Sequence, residues 1–131
     1  MKIRYSESTN ELEITSSKDN LLYLSKKLLE DGAQIKATVE ENSKAVPYDR
    51  FLYGIDIKVL QGKLVDFQVN QNDTLLIKGD CNKLSMLSEV LLSLTEDWNI
   101  AEDPTYKHIH IEHYSAHYLS PNSISVVVMY A

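Results

Sequence analysis

All four histidines of the 131-residue chain fall between positions 108 and 117, in His108-Ile109-His110-Ile111-Glu112-His113 and His117. On a β-strand successive side chains alternate, so positions 108, 110 and 112 share one face at a Cα spacing near ~6.6 Å. Two imidazoles and a carboxylate held this way offer three ligands to zinc or iron and leave a coordination position open for water or substrate. His108, His110 and Glu112 thus fit a metal-binding protein or a metal-dependent enzyme. They fit also the plainer reading, a solvated strand row with His113 packed inward among Ile109 and Ile111. H-x-H-x-E arises readily on any polar strand face, and both readings stay open here.

The loop before this strand, Thr95 to Pro104, is acidic and holds the only tryptophan. Glu96, Asp97, Trp98, Glu102 and Asp103 have the composition of a contact patch for a basic partner, an aromatic anchor ringed by carboxylates. The plainer alternative has Trp98 closing the end of a helix while the acids keep the loop soluble. The charge is lopsided: residues 1–62 carry 9 basic and 10 acidic groups (net −1), residues 63–131 carry 4 and 9 (net −5).

Other chemistries lack their residues. Gly32, Gly54, Gly62 and Gly79 are isolated from one another, so no phosphate-cradling loop is present, and no nucleophile elbow occurs. Cys81 sits beside Asp80 at an expected helix start, where the dipole and the acid pull its acidity in opposite directions, and reads as a structural thiol. The eight tyrosines are scattered with little Lys or Arg between them, unlike a nucleic-acid stacking platform. A net charge of −6 also disfavours nonspecific binding to nucleic acid or anionic lipid. One cysteine permits no internal disulfide, the N-terminus does not read as a signal peptide, and no run reaches the ~18 apolar residues of a membrane span. The expected address is cytoplasmic, and no cofactor is implied.

Periodicity places these residues on elements. Lys2–Ser6 and Glu11–Thr15 alternate around the turn formers Ser8, Thr9 and Asn10, a hairpin. Lys18–Asp31 has helical spacing of Leu21, Leu24, Leu28 and Leu29, with Ser17 or Asp19 as cap and Gly32 past its end. Strands follow at Gln34–Glu40 and Phe51–Leu60, with a polar loop between. Val65, Phe67 and Val69 form one strand, Leu75 and Ile77 the next, and a helix runs from about Asn82 to Thr95. His108–Tyr114 and Ile124–Tyr130 complete the chain. The expected fold is α+β: a single domain (1–131) of two ββαββ units, its sheets antiparallel with one wet face and two helices on the apolar face.

The units also agree residue by residue. A shift of 63 lays Leu12 on Leu75, Ile14 on Ile77, Leu21 on Leu84, Leu24 on Leu87, Ser25 on Ser88, Leu28 on Leu91 and Leu29 on Leu92. That is the pattern of an internal duplication of 1–62 and 63–131, although two leucine-striped helices share some identities by composition alone.

The C-terminal segment carries a family resemblance. His108-Ile109-His110-Ile111-Glu112, then Tyr118-Leu119, then Ser123-Ile124-Ser125-Val126-Val127-Val128 resembles the end of immunity protein 32, a family of small α+β antidotes in bacterial polymorphic toxin systems. The Leu75–Leu94 strand and helix agree more loosely, and the chain departs from the pattern in an extra N-terminal ββαββ unit and a fourth histidine. The resemblance implies a non-enzymatic protein that binds a cognate toxin domain, with His108, His110, Glu112, Tyr118 and Leu119 at the matching positions. The acidic surface suits a basic, nuclease-like toxin. Against this stand the metal reading and a structural homodimer paired through edge strands at Phe51–Leu60 or Val126–Val128.

Overall fold

Short polar side chains start both helices. In the computed structural model, which describes residues 1–96 and 108–130, the Ser17 hydroxyl accepts a hydrogen bond from the Asn20 amide and opens α1 (Lys18–Lys27). The Asp80 carboxylate accepts one from the Lys83 amide at 2.7 Å and opens α2 (Cys81–Ser93). Each satisfies one of the amides that a helix start leaves without an intrahelical acceptor. Asp80→Ala is expected to cost about 1 kcal/mol, read as a fall of roughly 3 °C in melting temperature.

Nine strands accompany the helices among the described residues: β1 (Lys2–Ser6), β2 (Glu11–Ser16), β3 (Gln34–Lys36), β4 (Arg50–Phe51), β5 (Gly54–Val59), β6 (Asp66–Val69), β7 (Leu75–Gly79), β8 (His108–Ile111) and β9 (Ser125–Tyr130). They form two sheets, ordered β4-β1-β2-β9-β8 and β3-β5-β7-β6. The fold is α+β as the sequence implies, but the sheets are mixed rather than antiparallel. β2 runs parallel to β9, with Leu12 opposite Val126 and Ile14 opposite Val128, and β5 runs parallel to β7, with Ile55 opposite Leu75. The remaining neighbours are antiparallel.

The apolar rows of both sheets and the leucines of both helices join one cluster, which includes Ile3, Leu12, Ile14, Leu21, Leu24, Phe67, Leu75, Ile77, Leu84 and Val128. The helices meet at two serines. Ser25 donates to the Leu21 carbonyl within its own helix, and the Ser88 hydroxyl donates to the Ser25 carbonyl across the contact at 2.9 Å. Small side chains there let the helices approach while each hydroxyl is satisfied.

Three expectations are corrected. The single strand over Phe51–Leu60 is two: the chain leaves the first sheet at Phe51 and enters the second at Gly54. Leu52 is fully buried and Tyr53 is 59% exposed, which breaks the alternation that one continuous strand requires. The strand over Gln34–Glu40 stops at Lys36, and Val39 is exposed. Finally, Glu13 and Asp66, on the polar strand rows, are buried, at 8% and 9% exposure. Glu13 is covered because Arg4 binds it while also holding the 42–49 segment over the sheet. Asp66 accepts from Gln68 Nε2 at 2.7 Å and lies 4.0 Å from Lys78 Nζ.

Candidate functional site

The outward face of the first sheet gathers the histidine strand with groups from the other end of the chain. The register sets Arg4, Glu13, Val127 and His110 in one row across β1, β2, β9 and β8. The next row brings Glu11 beside Ser125, with Glu112 just beyond the end of β8. Arg4 organises the wall. Its Nε donates to Glu13 Oε1 at 3.0 Å, its Nη1 donates to the Ala45 and Val46 carbonyls at 3.3 and 3.2 Å, and its guanidinium lies 4.8 Å from the Tyr48 ring centre. Tyr48 is thereby held over the sheet. It closes one side of a groove of about 360 Å³ that Glu11, His110, Glu112, Ser125 and Val127 also line.

The chemistry of this groove is anionic and aromatic. Glu11 and His110 are exposed and Glu112 is half-buried. The Glu112 carboxylate accepts from the Tyr114 hydroxyl, and that bond raises the Tyr114 pKa. Burial pushes the Tyr48 hydroxyl up as well, the carboxylate of Glu13 and more weakly that of Glu11 add to the shift, and Arg4 opposes it. Tyr48 therefore stays neutral well into the alkaline range. A cation entering the groove would meet two carboxylates beside the Tyr48 side chain, and carboxylates bind guanidinium and ammonium groups by charge-assisted hydrogen bonds.

The sequence candidates separate in the structure. His108 and His110 share the outward face, their rings 5.1 Å apart in a T-shaped contact. Among the described residues no three His, Cys, Asp or Glu side chains converge as a set of metal ligands. His113 is exposed in the turn after β8 rather than packed inward, and its Nδ1 lies 3.0 Å from the Leu119 carbonyl. Tyr118 and Leu119 belong to the frame: Leu119 is buried, and the Tyr118 carbonyl accepts from the Val65 amide at 2.9 Å. Burial raises the Tyr118 pKa. Cys81 is exposed at the first position of α2, so it does not contribute to the core as a structural thiol would. In the acidic loop, Glu96 is exposed just past α2, while Asp97, Trp98, Glu102 and Asp103 lie outside the described residues.

Glu11 and Tyr48 were missed by sequence reasoning. Glu11 reaches Ser125 only through the parallel β2–β9 pair, across 114 positions, and nothing local in the sequence signals that pairing.

The second sheet carries a groove at the corresponding place, about 390 Å³, lined by Gln34, Lys36, Tyr53, Asp56, Asn72 and Thr74. Ile35 faces Ile55 there as Ile111 faces Val126 in the first sheet, so Gln34 and Lys36 stand where His110 and Glu112 stand. The shift of 63 sets Thr74 in the place of Glu11. The two grooves are similar in volume and differ in charge. A third groove, about 420 Å³, lies by Lys63, Asp66 and Lys78, but its one carboxylate is engaged by Gln68 and its other oxygen, Oδ1, is enclosed.

Comparison with curated proteins gives no significant match, and neither does comparison with solved structures. The sequence model of one family does match: residues 74–130, somewhat less than half of the chain and running from the threshold of β7 to the end of β9, match immunity protein 32.

Proposed function

We propose that the protein is a non-enzymatic immunity protein that binds a cognate toxin domain and neutralises it. The observation that carries this reading is the immunity protein 32 match over residues 74–130. The charge distribution supports a basic partner, because the half of the chain holding the match has a net charge of −5. Such an excess steers a basic domain toward this surface and raises the association rate at low salt. The groove of the first sheet gives an arriving Arg or Lys side chain a place to dock, between Glu11 and Glu112 and against Tyr48. The loop with Glu96, Asp97, Trp98, Glu102 and Asp103 supplies further contacts in this proposal.

The test is capture of partners by the tagged full chain from its native cells, with growth of cells expressing the captured domain as the functional readout. The expected partner is a larger protein with a basic domain, bound less tightly at high salt, whose toxicity the chain suppresses. A captured domain that remains equally toxic in the presence of the chain sinks the immunity reading. Within it, Glu11→Lys with Glu112→Lys is expected to weaken binding about 10- to 100-fold, roughly 1.4 to 2.7 kcal/mol, without altering the melting temperature. Unchanged affinity moves the contact away from this groove.

A further inference from the structure

We infer that the chain is two ββαββ units, residues 1–62 and 63–131, that complete each other by exchanging their last two strands, so that the edge of β2 or β7 that the other unit covers is a surface fitted to a second ββαββ unit.

The sheets share one plan. Inside the two-residue edge strand β4, the first reads β1-β2-β9-β8, and the four-stranded second reads β6-β7-β5-β3. In each, an antiparallel hairpin from one half is joined in parallel to an antiparallel pair from the other half. Registers agree to the residue. Leu12 faces Val126 and Ile14 faces Val128 in the first sheet, while Leu75 faces Ile55 and Ile77 faces Ile57 in the second. Leu12 and Leu75, and Ile14 and Ile77, are the residues related by the shift of 63.

Equivalent details accompany the plan. The helix caps Ser17 and Asp80 are 63 positions apart. The outer edges of the hairpins are closed alike, by the segment entering the exchanged strand: the Leu52 amide donates to the Ile3 carbonyl at 2.8 Å, and the Ile124 amide donates to the Phe67 carbonyl at 3.2 Å. Ile3 and Phe67 hold matching places, opposite Ile14 and Ile77. Ser25 and Ser88, also 63 apart, touch each other. Contact between equivalent residues is what a two-fold axis produces at its centre. The pair of grooves follows the same relation.

The exchange has an energetic reason. Without β9, the six residues of β2 would present unpaired backbone groups along one edge, beside a row that includes Leu12 and Ile14. The family-matched segment is in the same position, since its β7 lies in the second sheet and its β8 and β9 in the first. Residues 1–62 are its second half in space, not an appendage.

A protease site placed between the exposed Gln61 and Gly62 of the full chain tests this. After cleavage the two fragments are expected to co-elute at the mass of the intact chain and to part only in denaturant. Separated in urea and recombined, they should regain the original melting transition. The 63–131 fragment refolded alone should either elute at twice its mass, pairing with itself, or stay unfolded until 1–62 is added. Fragments that part under native conditions overturn the inference. So does a 63–131 fragment that folds as a monomer, or a mixture that fails to refold where the uncleaved chain succeeds. None of these outcomes depends on a toxin, so the inference and the proposed function stand or fall separately.

Discussion

Replacing Gly54 with alanine is expected to destabilise the protein by about 3 kcal/mol, seen as a fall of roughly 10 °C in the melting temperature. Gly54 opens β5 opposite Lys36 of β3, and a Cβ there would lie 2.3 Å from the Ile35 carbonyl oxygen and 3.3 Å from its carbon. Both atoms are backbone, so relief requires β3 to move off the sheet. The equivalent position on the first sheet is Ser125, so the tight approach belongs to the second sheet alone. Gly79→Ala is the milder comparison, because its Cβ would meet Val65 at 3.1 to 3.2 Å. A melting temperature within about 1 °C of the parent would show that β3 is not pressed against Gly54.

Arg4→Ala should cost a similar amount, about 3 kcal/mol, for a different reason. Glu13 is 8% exposed, and Arg4 carries its counter-charge. Truncating Arg4 leaves a carboxylate enclosed without that partner and releases the Ala45 and Val46 carbonyls and the Tyr48 ring together. Since the penalty lies largely in the stranded charge, adding Glu13→Gln should restore at least about 1 kcal/mol, a coupling that denaturant titration of the two single variants and the double variant resolves. Simple additivity of the two substitutions would rule out the pair as the cause. The single variant should also bind a partner more weakly if Tyr48 forms part of the contact.

Both variants act on features that differ in how far the sequence displays them. The hairpin turn at Asn10, the Ser17 cap and the leucine rows of both helices are legible because each depends on neighbours within a few positions. Alternation likewise identifies the face of Leu12, Ile14, Val126 and Val128 that turns inward. It says nothing about which strand lies alongside or in which direction, and so the parallel β2–β9 and β5–β7 pairs were hidden. Phe51–Leu60 misled for a related reason: Phe51, Tyr53 and Ile55 keep a two-residue period across the point where the chain changes sheets. His110 and Glu112 stood out by type, whereas Glu11 resembled every other acid on a polar row until β9 brought Ser125 beside it. Tyr48 joined them only through Arg4, 44 positions earlier.

The parallel β2–β9 pair also sets a schedule for synthesis. β2 leaves the ribosome early, yet its partner Ser125–Tyr130 is made 114 positions later. At ~5–20 residues per second, that interval is about 6 to 23 seconds. Throughout it the nascent first sheet has an open edge and the row of Leu12 and Ile14 lacks its covering strand. The second sheet waits less, since β5 precedes β7 by about twenty positions. Slowed translation between Gly79 and Ser125 should therefore increase aggregation and chaperone capture of the growing chain, and charged residues such as Glu11 and Glu13 on β2 guard it during that wait.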